Sequence, residues 1–227
     1  MLETNYYSDA NLKWNYNGLE TVAPNGVYLS NGDLDGIPKW VLQNGKGIRK
    51  DVMVVSRWML AVDENYRKLV FKKLGIKDLE QQKSDFKNTS IYVENLTVHI
   101  LKNCKRPTYM ACGTSVKFFE QYGLENNLYL VGIAFLYSKK DFDNLAVTKK
   151  NLEEKYYIEY LLKNFQSHKE DDMIKSSMNV TYLPSLFKLK KHYEEINDVE
   201  KSNYYLKFIN KIADESGRRE EVLSWFK

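Results

Sequence analysis

Val27-Tyr28-Leu29-Ser30-Asn31-Gly32-Asp33-Leu34-Asp35-Gly36 is the run on which the fold turns. Four residues of strand character follow the Asn25-Gly26 turn and empty into a loop with two glycines and two acids. A strand feeding such a loop ahead of a helix is how an α/β unit begins. Pro38 suits the first turn of that helix, which Trp40, Val41 and Leu42 carry.

Outward from this run the same rhythm repeats. Gly45 and Gly47 end the helix, and Asp51-Val52-Met53-Val54-Val55-Ser56 follows as a continuous apolar stretch, the pattern of a parallel strand covered on both faces. Helical spacing recurs over 62–74 and 89–103; a third strand, Thr108–Cys112, follows Pro107, and a helix spans about 115–122. Leu128–Ser138 reads as a last strand segment broken at Gly132. Upstream, Leu12, Tyr16, Leu19 and Val22 predict a helix over 9–23, stopped by Pro24. Right-handed crossovers would lay these strands side by side. The expected fold is α/β: a small Rossmann-like parallel sheet with flanking helices over residues 1–140. Residues 141–227 are expected to be helical, at 151–165, 171–191 and 200–214. The Asn197-Asp198 turn joins the last two into a tetratricopeptide-like hairpin.

With 34 basic and 30 acidic residues among 227, the chain carries a formal charge of +4. Its lysines are interleaved with acids, so no basic face for nucleic acid is expected. Cys104 and Cys112 are the only cysteines; buried free thiols are the plainer reading and one disulfide between them the alternative, and His99, His168 and His192 have no zinc-site spacing. Met1–Ser8 is polar and reads as no targeting signal. The longest apolar stretch, Leu128–Tyr137, is ten residues, against about 20 for a spanning helix. No strand is followed by a dinucleotide-type glycine fingerprint, and no cofactor is expected.

The candidate site is the loop after the first strand, because open α/β sheets bind ligands beyond the carboxyl ends of their strands. Asn31, Asp33, Asp35, Arg57 and Trp40 are its candidate ligand-binding residues. Asp33 and Asp35, two residues apart, have the oxygen chemistry to share a divalent cation. The plainer account makes them caps of the next helix, with Gly32 and Gly36 supplying positive φ. Arg57 lies at the carboxyl end of the second strand, where it faces the same crevice or holds the loop by a salt bridge. Trp40 and Trp58 offer rings for a sugar, although core packing is the commoner use of tryptophan.

Pro24-Asn25, Val27–Ser30, Asn31-Gly32-Asp33-x-Asp35, Pro38-x-Trp40-x-Leu42-Gln43 and Gly47-Ile48-Arg49-x-Asp51-Val52-x-Val54-Val55 together resemble the soluble C-terminal region of certain bacterial multi-spanning membrane proteins. The membrane half of those proteins is similar to protein O-mannosyltransferases. The family has Asn between the two acids, where this chain has Leu34. The resemblance implies a periplasmic or extracytoplasmic domain accessory to an envelope glycosyltransferase-like protein, with any transferase chemistry in an upstream membrane domain. The expected role is noncatalytic recognition of a protein or glycan acceptor. The alternative is a small metal-dependent hydrolase or transferase using Asp33 and Asp35.

Overall fold

The structure, a computed structural model, describes residues 7–113, 116–163 and 171–226. Residues 164–170, which take in His168 and the end of the helix expected at 151–165, lie outside the described residues. The chain forms two compact units. Helix α1 (Asp9–Thr21) belongs to the helical unit, with 130–133 and 142–227, and not to the sheet-bearing unit of 22–129 and 134–141.

In the α/β unit, β1 (Val27–Ser30) leads to α2 (Asp33–Lys46) and β2 (Met53–Ser56); α3 (Arg57–Val62), α4 (Glu64–Leu74) and α5 (Thr89–Asn103) then carry the chain to β3 (Thr108–Ala111). Helix α6 (Val116–Tyr122), β4 (Leu128–Leu130) and β5 (Ala134–Tyr137) complete it. The strand order is β2-β1-β3-β5-β4. Strand β1 pairs parallel with β2 on one side and β3 on the other, whereas β5 runs antiparallel to β3. The sheet is therefore mixed, correcting the all-parallel expectation. Gly132 (φ 112) breaks the apolar run between β4 and β5. The two pieces return as neighbouring short strands, with no helix between them to make a parallel crossover.

Strand β1, flanked by β2 and β3, is buried along its whole length. Val27 and Leu29, with Val55 and Met110 on its neighbours, join Leu60, Phe71, Val93, Leu96, Ile100 and Phe118 in one core. Full burial of such side chains contributes about 1.5–3 kcal/mol each. Tyr28 points to the opposite side of the strand, where the Lys39 ammonium of α2 lies 4.3 Å from its ring centre.

Strand β2 ends the sheet, and its outer edge is closed by side chains. In a parallel strand alternate residues bond to opposite sides. Met53 N–H donates inward to Gly26 (3.0 Å), so Val52, Val54 and Ser56 face out. Gln43 Nε2 donates to the Val52 carbonyl (2.8 Å), Trp40 Nε1 to the Val54 carbonyl (3.3 Å), and Ser56 N–H donates to the Tyr66 hydroxyl (3.0 Å). Unmet groups on such an edge would invite pairing with another chain.

Helix α2 begins at Asp33, not at Pro38, with Gly36 N–H donating to Gly32 O (2.8 Å) to close its first turn. Acids in a first turn are favoured by the helix dipole, and this turn holds both Asp33 and Asp35. Of the two loop glycines, only Gly32 takes positive φ (147°). Gly36 permits close approach: a Cβ there would stand 2.8 Å from Ser30 Oγ.

In the helical unit, α7 (Asn144–Lys150) runs into a π-helical turn at Asn151–Lys155 and then a 3-10 turn at Glu159–Leu162, in place of one helix at 151–165. The expected helix at 171–191 is likewise divided, into α8 (Asp171–Met173), wide and tight turns over 174–182, and α9 (Leu183–Glu195). Helix α9 and α10 (Val199–Glu215) form a hairpin across Ile196–Asp198, followed by α11 (Arg219–Ser224). Tyr193 of α9 stacks on Tyr205 of α10, with ring centres 5.8 Å apart. Buried amides tie the irregular turns down. Asn17 Nδ2 donates to the Tyr182 hydroxyl (2.7 Å), its Oδ1 accepts from Tyr157 N–H (2.9 Å), and Asn151 Nδ2 donates to the Val131 carbonyl (2.7 Å).

Candidate functional site

Parallel pairing of β2, β1 and β3 brings the carboxyl ends of all three strands to one edge of the sheet. The chain leaves β1 toward β2 on one side and reaches β3 on the other, so the strand order reverses beside β1. At such a switch point the outgoing loops diverge and leave a crevice. Here the crevice has a volume of about 220 Å³, with Asn31 after β1, Arg57 after β2 and Gly113 after β3 in its lining.

Asn31 joins these loops. Its Oδ1 accepts from Arg57 Nη1 (3.1 Å), its Nδ2 donates to the Gly113 carbonyl (3.5 Å), and its backbone N–H donates to Asp35 Oδ2 (2.7 Å). Arg57 is 5% exposed. Its Nε donates to Thr97 Oγ1 (2.9 Å), and its guanidinium carbon lies 5.7 Å from the Phe118 ring centre. Burial pulls the Arg57 pKa down, while the charges of Glu94 and Asp35 oppose that; a guanidinium nevertheless stays protonated in a protein.

Helix α5 supplies the facing wall. Glu94 Oε2 accepts from the Tyr122 hydroxyl (3.1 Å), which in turn accepts from Asn95 Nδ2 (3.1 Å). Burial first, and the Glu94 charge second, push the Tyr122 pKa up to about 12. Trp58, at 44% exposed, lines the same crevice with Lys117 and Gln121.

The two acids of the opening loop part company. Asp33 is exposed in the first turn of α2, whereas Asp35 is buried beneath it. Asp35 Oδ1 accepts from Lys39 Nζ (2.6 Å) and from the Tyr28 hydroxyl (2.9 Å), and Lys39 is fully buried. Burial lowers the Lys39 pKa and the Asp35 charge raises it. An ammonium thus already sits against Asp35, and both acids lie in the first turn of α2 instead of in an open loop. Among the described residues no group of three or more His, Cys, Asp or Glu is placed to hold a metal ion.

Of the five candidates, the structure brings Asn31 and Arg57 together in the crevice and sets Asp35 behind them. Asp33 is absent from the lining, and Trp40 is committed to the Val54 carbonyl. Glu94, Thr97, Lys117, Phe118 and Gln121 went unnoticed in the sequence. A signal existed for part of this wall: Ser90, Glu94 and Thr97 stand at i, i+4 and i+7 on α5, a polar stripe beside the apolar one.

The amino edge of the same strands is differently built. Arg106 donates to the carbonyls of Asn25 (2.5 Å), Gly26 (3.1 Å) and Asp51 (3.4 Å). Asp51 accepts from Arg49 Nε and Nη2 (both 2.9 Å) and from Asn25 N–H (3.0 Å), holding two turns whose Asn25 and Arg49 have positive φ. These contacts lock strand entry and are structural. Cys104 and Cys112 are both free, and burial raises the Cys112 pKa. No helix among the described residues is long and apolar enough to cross a membrane. Compared with known proteins, the chain matches no family model, no curated protein and no solved structure.

Proposed function

We propose that the α/β unit is a noncatalytic recognition domain that takes a glycan, free or carried on an acceptor protein, in the crevice between β1 and β3. The observation that carries this reading is the exposed Trp58 ring on a cavity whose other polar residues include Asn31, Glu94 and Gln121. Sugars present an apolar ring face and a rim of hydroxyls, so an aromatic plate beside amides and a carboxylate matches both. Glu94 is the one carboxylate among the described lining residues, whereas glycoside hydrolysis usually takes a pair. That favours binding over cleavage.

The envelope setting, accessory to a glycosyltransferase-like membrane protein, rests on the sequence resemblance. The α9–α10 hairpin, read as tetratricopeptide-like, would serve docking of a protein partner in that setting.

A glycan array probed with the full chain tests the binding reading. Capture of a defined subset is expected, lost in Trp58→Ala and kept in Trp40→Phe. Absence of binding, or turnover of a nucleotide- or lipid-linked sugar by the isolated chain, refutes it. Fractionation of cells expressing the full reading frame tests the setting, and a cytoplasmic product overturns that part.

A further inference from the structure

We infer that the crevice selects acidic saccharides, with a uronate carboxylate directed to Arg57 and Lys117 while the sugar ring rests on Trp58. This deepens the glycan reading and depends on it. Among the described lining residues the charged groups are Arg57, Lys117 and Glu94, two cations against one anion. Arg57 is the better placed. Thr97, Asn31 and Phe118 hold its guanidinium in one orientation, so little side-chain freedom is lost on binding. Lys117 is exposed and adds attraction without needing to be buried.

A single carboxylate fits this site better than a phosphate chain. In P-loop and dinucleotide-binding sheets, phosphates sit on the helix that follows the first strand. Here Asp33 and Asp35 occupy the first turn of that helix, and Asp35 already accepts the Asn31 N–H. Within the crevice Glu94 opposes Arg57 and Lys117, so a uronate, with one charge and a ring for Trp58, suits the lining better than a multiply charged ligand.

The test titrates the full chain with glucuronic, galacturonic and mannuronic acids, each paired with its uncharged parent hexose, following tryptophan fluorescence and confirming by calorimetry. At least one uronate is expected to bind about tenfold tighter than its hexose, as a charge-assisted hydrogen bond allows. That preference should shrink severalfold in Lys117→Gln and in ~1 M salt, where screening acts within about 3 Å. Lys117 is chosen because it is exposed, circular dichroism of the variant checks that its fold is kept, and Trp58→Ala should abolish binding of both members of a pair. Equal or weaker binding of every uronate, with hexoses still bound through Trp58, overturns this inference and leaves the glycan reading standing. No binding of either class overturns both, as does tighter binding of a nucleoside triphosphate than of any uronate.

Discussion

Removing the Asp35 carboxylate strands a charge. In Asp35→Ala the Lys39 ammonium, fully buried, keeps the backbone carbonyl of residue 35 (3.0 Å) and the Tyr28 ring but loses its counter-ion at 2.6 Å. Breaking a buried pair from one side costs about 3–5 kcal/mol. The lysine also has an escape: shedding its proton at pH 7 costs at most about 4.6 kcal/mol, from an unfolded pKa near 10.4. A loss of roughly 3–4 kcal/mol is therefore expected. Lys39→Met should cost less, about 1–3 kcal/mol, because the carboxylate keeps the Tyr28 hydroxyl and the Asn31 N–H. The double variant Asp35→Ala/Lys39→Met should fall short of the sum of its single changes by about 2 kcal/mol.

Urea unfolding at pH 7, followed by fluorescence and circular dichroism, measures these differences. A pH series adds a sign. Burial holds the Lys39 pKa below its unfolded value, so without Asp35 folding releases protons and the deficit of Asp35→Ala should shrink as pH rises toward 10. A loss under about 1 kcal/mol, an additive double variant, or a deficit that grows with pH would refute the reasoning.

Three further changes probe other parts of the structure. Asp51→Asn tests the amino edge. The Asp51 pKa is lowered from its ordinary 3.8 to about 2, chiefly by the Arg49 hydrogen bond, so its contribution is full above about pH 4 and vanishes as pH falls through 2. With its side chain 34% exposed the effect is discounted to under about 1 kcal/mol; acid-unfolding curves of the two proteins should converge below pH 2, and a gap that persists there counts against the pairing. Gly132→Ala forces a Cβ to 2.1 Å from the Tyr156 hydroxyl at a φ of 112°, and a fall of more than about 3 kcal/mol is expected; a variant melting within a degree or two of wild type would show that the turn relaxes freely. Trp40→Ala uncovers the Val54 carbonyl and should both destabilise by about 1–3 kcal/mol and promote concentration-dependent association through β2. Light scattering that finds no self-association would remove the edge-guarding role.

The strand segments were legible because burial on both faces writes a continuous apolar run, and 27–30 appears in the structure with the bounds read from its residues. The helix at 89–103 was equally plain, since its apolar spacing is long and Asn88 caps it through its side chain. Sequence also located the crevice edge, because a loop that follows a parallel strand has only one end of the sheet to occupy. The start of α2 was not legible. Pro38 carries a strong local signal for a first turn, yet two acids and a close-packing glycine ahead of it allow the helix to begin five residues earlier. Nor was the partition of Asp33 from Asp35, one exposed and one buried, since loop spacing does not say which carboxylate will meet a lysine one turn on.

By itself, the sequence determined that two apolar strands and an intervening helix make an α/β unit, and that Asn31 and Arg57 stand at strand ends. Tertiary structure alone decided that β5 runs against β3, that Trp40 guards an edge while Trp58 faces the crevice, and that α5 contributes its wall. The physical reason is range. Local spacing encodes which face of an element is apolar, whereas the neighbours of a polar side chain depend on strands and helices distant in sequence, and the chemistry of a site lies in those neighbours.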